Sequence, residues 1–254
     1  MNLTGGMAEV RAFDPAFGSQ TNDNRGGSDI RLGDIGESEA GAGIITKSGG
    51  TYAVEILGEA SYTGPTHIDA GTLRVSVGGS IESSSEVRVA TGAKLDVLAH
   101  VDGYNIPTGQ TLTGSGEWDG DIIFSGTLAP GTGVGTITGD NFTLEGTAAL
   151  QFELAGSDLS DRLVLTGAFD KGSAGAFQFD FGGTGAEGLY TLVQFASTTF
   201  SASDFTAASL APGLTGMFQM TDTALQLAVV PEPGSAIALA LGGALLGMRR
   251  RRRA

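Results

Sequence analysis

The sequence predicts an all-β fold in which short strands wind into stacked coils, a β-solenoid. Three observations support this expectation. The 254 residues include 42 glycines without the triplet period of collagen, and Ser, Thr, Asp and Asn surround them, which is typical of many turns between short strands. Runs of alternating apolar and polar residues follow one another and end at Gly or Asn turns. Two of these runs, Thr72-Leu73-Arg74-Val75 and Lys94-Leu95-Asp96-Val97, have the same pattern, and the spacing between them suits one coil.

Stacking explains why such runs recur. A single coil cannot bury its inward Leu and Val side chains, whereas stacked coils bury them in one column and pair each strand with the coils above and below. A second pair of segments shares the order strand, glycine corner, strand: residues 87–97 turn at Gly92, and residues 142–154 turn at Gly146. An antiparallel sandwich also contains short strands and glycine turns, and it remains the alternative.

We divide the chain into four segments. Residues 1–43 are polar and predict an irregular lead-in, and residues 44–167 contain the solenoid coils. Residues 168–230 continue as strands and predict a β-rich cap, because an open solenoid end would expose unpaired backbone. Residues 231–254 form a tail of different composition.

The lead-in contains few apolar residues. Ile30, Leu32 and Ile35 are its expected buried anchors. Residues 1–10 have neither the basic nor the apolar region of a secretory signal, so either the natural start lies further upstream or the protein is not exported.

Composition excludes several functions. The chain has no cysteine, which excludes disulfides and thiol chemistry. The formal charge is −14, and without the five terminal arginines it is −14 − 5 = −19. Double-helical nucleic acid is therefore not an expected partner, because phosphate binding needs a concentrated positive surface.

The tail has three parts in a fixed order. Pro231, Glu232 and Pro233 precede an apolar run over residues 234–248. An apolar helix closed by a cationic block can enter a bilayer but cannot pull its charged end through. At about 1.5 Å per residue the run spans only about 22 Å of a core of about 30 Å, so we predict a short, transient transmembrane helix. The predicted stop-transfer block consists of Arg249, Arg250, Arg251, Arg252 and Arg253.

The order Pro-Glu-Pro, apolar helix and arginine cluster resembles the PEP-CTERM sorting signal. The resemblance implies an exported protein of a Gram-negative bacterium that makes extracellular polysaccharide. It also implies an exosortase-type processing enzyme as a partner, which would cleave near Pro231. The protein would then have a transient anchor in the inner membrane and end at the cell surface or in the extracellular matrix.

A second resemblance covers the coils. The segment Tyr62-Thr-Gly-Pro-Thr-His-Ile-Asp-Ala-Gly-Thr-Leu-Arg-Val75 is similar to the autotransporter-associated β-strand repeat, with Pro65 where a second glycine is usual. Residues 112–116, 126–131 and 161–167 resemble the segments that follow this repeat in bacterial surface proteins. This resemblance implies a right-handed parallel β-helix.

The most enzyme-like residues are Glu117, Asp119 and Asp121. Residues two apart on a strand project from one face, and paired carboxylates can act as general acid and base or hold Ca²⁺. Gly116, Gly120 and Trp118 equally permit a turn with solvated carboxylates.

Other candidate sites are weaker. His67 and His100 are the only histidines and have no cysteine partner, so we expect no metal site. The glycine runs over residues 131–135 and 182–185 are not followed by Lys-Ser/Thr or a helix, so we expect no nucleotide and no other cofactor.

The sequence thus predicts a non-enzymatic, exported structural or adhesive protein associated with exopolysaccharide. The alternative is a carbohydrate-active β-helix enzyme, a polysaccharide lyase or hydrolase, which would use the carboxylates near Glu117–Asp121.

Overall fold

The computed structural model describes residues 2–4, 30–35, 45–48, 53–146, 148–156, 159–172 and 175–232. In this part of the chain the fold is all-β, as predicted, with no α-helix and one short 3-10 helix, η1 (Ala202–Asp204).

The described strands are short, and most contain three to five residues. In chain order they are β1 (Asn2–Thr4), β2 (Ile30–Leu32), β3 (Ile45–Ser48), β4 (Val54–Ile56), β5 (Thr66–Ile68), β6 (Gly71–Val75), β7 (Glu86–Val89), β8 (Ala93–Asp96), β9 (Tyr104–Ile106), β10 (Thr111–Gly114), β11 (Glu117–Asp119), β12 (Ile122–Phe124), β13 (Thr127–Pro130), β14 (Thr136–Gly139), β15 (Phe142–Leu144), β16 (Ala149–Gly156), β17 (Leu159–Ser160), β18 (Arg162–Leu165), β19 (Ala168–Lys171), β20 (Phe177–Gly185), β21 (Gly188–Gln194), β22 (Ser197–Thr198), β23 (Phe205–Ala208), β24 (Leu214–Met220) and β25 (Ala224–Pro231).

These strands form three sheets. Sheet A has the order β1-β3-β5-β7-β10-β13-β16-β20-β23, with β17 beside β16. Sheet B has the order β2-β4-β6-β8-β11-β14-β18-β21-β25-β24, and sheet C has the order β9-β12-β15-β19-β22. From β10 to β15 the chain passes through sheets A, B and C twice in succession, and each strand pairs in parallel with its predecessor in the same sheet. Parallel sheets of this kind are compatible with a β-helix and exclude the antiparallel sandwich.

The register tests the predicted repeat directly. Leu73 lies beside Leu95 in sheet B, so the two runs with the same pattern occupy matching positions on neighbouring parallel strands. The second pair of similar segments does not occupy equivalent positions, because residues 87–89 belong to sheet A whereas residues 142–144 belong to sheet C.

Inward side chains stack along each sheet. In sheet A, neighbouring strands each place a residue that is no more than 2% exposed beside the next, and burying each such side chain stabilises the fold by about 1.5–3 kcal/mol. This column comprises Val87, Leu112, Leu128, Leu150 and Phe179.

Towards the C-terminus the core becomes aromatic. The ring centroids of Phe169 and Phe200 are 4.6 Å apart, and those of Phe200 and Phe205 are 4.9 Å apart. Phe179 and Phe218 extend the cluster, with their centroids 5.4 Å apart. Tilted ring pairs at these distances add to the stability that burial alone provides.

Two short strands lie within residues 1–43: β1 and β2 pair in parallel with β3 and β4. The boundary of the lead-in at residue 43 stays a prediction. The expected anchors Leu32 and Ile35 are 2% and 1% exposed.

Parallel pairing also continues beyond residue 167. Strands β18 and β21 pair in parallel, as do β20 and β23. An antiparallel hairpin of β24 and β25 then ends sheet B, and β25 pairs antiparallel with β21. The division of residues 44–167 from a cap over residues 168–230 stays a prediction.

The tail lies mostly outside the described residues. Pro231 ends β25, and Glu232 N donates a hydrogen bond of 2.8 Å to Gly213 O. Pro233, the apolar run and the five arginines are not among the residues that the structure describes. Among those that it does describe, no helix has the length and apolar character needed to cross a bilayer.

Candidate functional site

Two of the three carboxylates predicted as an alternative catalytic site lie on the outer face of sheet B. Glu117 and Asp119 are on β11 and share one face, as expected. Lys94, on the neighbouring β8, places its Nζ 2.8 Å from Glu117 Oε1 and 2.9 Å from Asp119 Oδ2. The hydrogen bonds that Lys94 donates to Glu117 and then to Asp119 raise the pKa of Lys94, so this side chain stays a cation.

Asp121 does not join this pair. It follows β11 beyond Gly120, whose φ of +101° turns the chain towards sheet C. The Asp121 carboxylate accepts a hydrogen bond of 2.7 Å from Asn141 Nδ2. The three carboxylates are therefore not one cluster, and two of them hold a lysine.

Lys94 and its partners belong to a longer ladder of ion pairs along sheet B. Arg31 Nε lies 2.8 Å from Glu55 Oε2, and the register places these two residues side by side on β2 and β4. Arg74 Nε lies 2.7 Å from Asp96 Oδ2, again between neighbours on adjacent strands. Opposite charges directly across parallel strands stabilise the pairing of those strands, so these carboxylates have a structural role.

The two histidines make different contacts. His67 Nε2 lies 3.4 Å from Glu86 Oε1, and the His100 ring packs edge-on against Tyr104 with centroids 4.9 Å apart. No group of three His, Cys, Asp or Glu side chains that could hold a metal ion occurs in the described part of the chain.

A groove lies on the outer face of sheet A, where β13, β16 and β20 run side by side. Its volume is about 410 Å³. Both glycine runs singled out in the sequence contribute to it, since Gly131, Gly133 and Gly182 line the groove. A Cβ built on Gly133 would lie 4.0 Å from Glu153 Oε2, so this glycine loop passes close to the Glu153 carboxylate.

Polar side chains line the floor of the groove. Gln151 on β16 lies beside Asp180 on β20, and both are exposed. Glu153 is two residues further along β16 and therefore projects from the same face as Gln151. Phe152 and Phe181 contribute backbone to the floor, because their buried rings point into the core.

Asp161 fixes the end of the groove. Asp161 is only 1% exposed. Its two carboxylate oxygens accept hydrogen bonds from the backbone, one of 2.7 Å from Gly135 N and one of 2.7 Å from Glu153 N. Burial raises the pKa of Asp161 to about 6, the two backbone hydrogen bonds oppose this rise, and the charge of Glu153 adds to it. Asp161 thus joins the glycine loop to β16.

Ser209 lines the opposite side of the groove, directly after β23. Its φ of 59° is in the left-handed region, and among the described residues it is the only non-glycine residue with a positive φ. Such a conformation costs of order 1 kcal/mol or more and persists because the surrounding chain imposes it.

Sequence reasoning missed this groove. The alternation in residues 150–154 and 177–181 does indicate that Gln151, Glu153 and Asp180 face outward. Only the register between β16 and β20 brings Gln151 and Asp180 together, and no sequence pattern predicts that register.

Comparison with known proteins adds no relative: no family model matches the sequence, and no curated protein is similar to it.

Proposed function

We propose that this chain is a structural or adhesive protein of the cell surface or extracellular matrix, exported by a Gram-negative bacterium and associated with exopolysaccharide. In this proposal the coils form a right-handed parallel β-helix, and a short transmembrane helix follows it. The observation that carries the structural role is the ladder of ion pairs on sheet B, where acidic side chains hold neighbouring coils together.

The sorting part of the proposal rests on the tail sequence. Pro231, Glu232 and Pro233 would be read by an exosortase-type enzyme, and residues 234–248 would hold the chain in the inner membrane until cleavage. Arg249 to Arg253 would keep the chain end on the cytoplasmic side, because five guanidinium groups cannot cross the bilayer core.

The enzyme alternative lacks support at its predicted residues. A general acid must hold and release a proton at the reacting bond, whereas Glu117 and Asp119 both contact the Lys94 ammonium. Asp121 is bonded to Asn141 instead. Nothing in this arrangement favours a lyase or a hydrolase.

The sorting proposal can be tested in the producing bacterium. Replacing Arg249 to Arg253 with Ser should disturb membrane retention and processing, since the chain end loses its charge. The matched control replaces the same five arginines with Lys, which preserves the charge, and should fractionate as the wild type does. Unchanged fractionation and processing of the Ser variant would contradict the stop-transfer role.

Mass spectrometry tests the cleavage. The mature surface protein should lack the residues that follow about Pro231. An intact Ala254 on secreted material would contradict processing by an exosortase-type enzyme.

A further inference from the structure

The groove on sheet A differs from the outer face of sheet B in how its polar groups are used. On sheet B the carboxylates of Glu55, Asp96 and Glu117 each contact a basic side chain on an adjacent strand. In the groove, the side chains of Gln151 and Asp180 make no hydrogen bond or ion pair with any described residue, although the register places them side by side. Their hydrogen-bonding capacity is therefore directed to solvent or to a ligand.

The size and shape of the groove suit a small segment of a polymer. A volume of about 410 Å³ falls in the range of about 300–1,000 Å³ that ligand sites usually occupy. The floor is formed by the hydrogen-bonded parallel strands β13, β16 and β20. The glycines along its edges carry no side chains that would keep a ligand away from the backbone.

The lining selects the chemical class of the ligand. Gln151 offers both donors and acceptors, whereas Glu153 and Asp180 accept hydrogen bonds from hydroxyl groups. The lining contains no Lys or Arg, which disfavours phosphate, sulfate and uronate groups. Its aromatic rings are buried in the core, which disfavours an apolar ligand. Neutral hydroxyl groups are the best match to these side chains.

We infer that the groove formed by β13, β16 and β20 binds an uncharged, hydroxyl-rich saccharide segment, with Gln151 and Asp180 as its principal hydrogen-bonding side chains. This inference rests on the proposed association with exopolysaccharide, and it specifies both the site and the class of sugar.

The test compares two variants of the full chain. Gln151→Ala/Asp180→Ala removes the two groove side chains. The control Gln178→Ala/Asp222→Ala removes the same two residue types at exposed positions that do not line the groove. All four side chains are exposed, so both variants should fold, which circular dichroism and thermal unfolding would verify.

Binding is measured by affinity electrophoresis in gels that contain one of three neutral polysaccharides: dextran, laminarin or galactomannan. Alginate serves as the acidic probe and chitosan as the cationic probe. We expect the wild type to be retarded by at least one neutral polysaccharide and not by alginate. The groove variant should bind that polysaccharide at least fivefold more weakly, whereas the control variant should bind it as the wild type does.

Three results would overturn the inference. Equal retardation of the groove and control variants by a neutral polysaccharide would place the sugar elsewhere, while leaving the proposed surface function intact. Binding to chitosan alone, equal in all variants, would reflect the overall negative charge of the chain. Retardation by none of the neutral polysaccharides would reject the groove as a neutral sugar site, and the fractionation experiment would still decide the sorting proposal independently.

Discussion

The Lys94 ammonium nitrogen lies 2.8 Å from Glu117 Oε1, and the register pairs these two residues across the adjacent strands β8 and β11. The same nitrogen lies 2.9 Å from Asp119 Oδ2. One cation thus separates two carboxylates that would otherwise repel each other on a single strand. The stability of this region should depend on that cation.

Lys94→Met should lower the free energy of unfolding by about 1 kcal/mol, because it removes two partly exposed ion pairs and leaves Glu117 and Asp119 facing each other. The loss should shrink in 1 M salt, where the Debye length is about 3 Å. Urea unfolding at low and high salt measures it. The same substitution in a Glu117→Gln/Asp119→Asn background should cost less; an equal loss in both backgrounds would show that the charges are not coupled.

Asp161→Asn should remove a pH dependence of stability. The folded-state pKa of about 6 lies above the ordinary value of 3.8, so between these values the folded protein holds a proton that the unfolded chain has released. The wild type is therefore relatively more stable at low pH and loses that advantage as the pH rises through this window. We compare the free energy of unfolding of the wild type with that of Asp161→Asn. As the pH rises from about 4 to about 7, the value for the wild type should fall by about 2 kcal/mol relative to the variant.

Urea unfolding at several pH values between about 4 and 7 checks this prediction. Asp204→Asn is the control with the opposite sign: hydrogen bonds, first from Lys171 and then from Ser201, lower the pKa of Asp204 to about 2. The stability that Asp204 contributes is lost only below about pH 4, so its difference from the wild type should be constant over the same range. A constant difference for Asp161→Asn as well would contradict the effect of burial.

Leu128→Ala should destabilise the fold by about 2–5 kcal/mol, because it opens a cavity in the column of inward side chains. Leu128 is 0% exposed and lies between Leu112 and Leu150. Leu98→Ala is the matched control, since Leu98 is 60% exposed, and it should change stability by no more than about 0.5 kcal/mol. Equal losses in chemical denaturation would argue against a continuous core at Leu128.

Gly114→Ala should destabilise the corner between β10 and β11 more than a positive φ alone requires. Gly114 has a φ of +104°, and a Cβ there would lie 2.0 Å from Val89 O. Gly92 also has a positive φ, of +78°, but a Cβ there would meet no atom within 4 Å. Gly92→Ala should therefore cost about 1–2 kcal/mol, and Gly114→Ala clearly more. Similar unfolding midpoints for the two variants would show that the backbone at Val89 can give way.

The repeat could be predicted from the sequence only where neighbouring coils have similar sequences. Leu73 and Leu95 occupy matching positions in two such runs, so the spacing between them revealed the stacking. Other steps between neighbouring strands differ in length: the step from Leu112 to Leu128 is shorter, and the step from Leu150 to Phe179 is longer. The step length therefore varies while neighbouring strands stay paired. Residues 87–97 and 142–154 do not occupy equivalent positions, because the first segment starts in sheet A and the second in sheet C.

The same variation in step length limited which contacts of the candidate sites could be predicted from the sequence. Alternation alone indicated that Glu117 and Asp119 share a face, and the structure confirms it. The contact of these carboxylates with Lys94 depends on the register between β8 and β11. Lys94 belongs to one of the two runs that share a pattern in the sequence. The pairing of Gln151 with Asp180 spans the longest of the steps compared above, so no local sequence pattern could predict it.

Nearest-neighbour pairing has a consequence for how the length of this molecule can change. Thr111 lies beside Thr127, and Leu112 lies beside Leu128, so residues 112–127 make one full circuit of the three sheets. Duplicating or deleting that circuit would leave every remaining strand with a partner of the same kind. Such a molecule can become longer or shorter by whole circuits during evolution while its cross-section and its two ends stay the same.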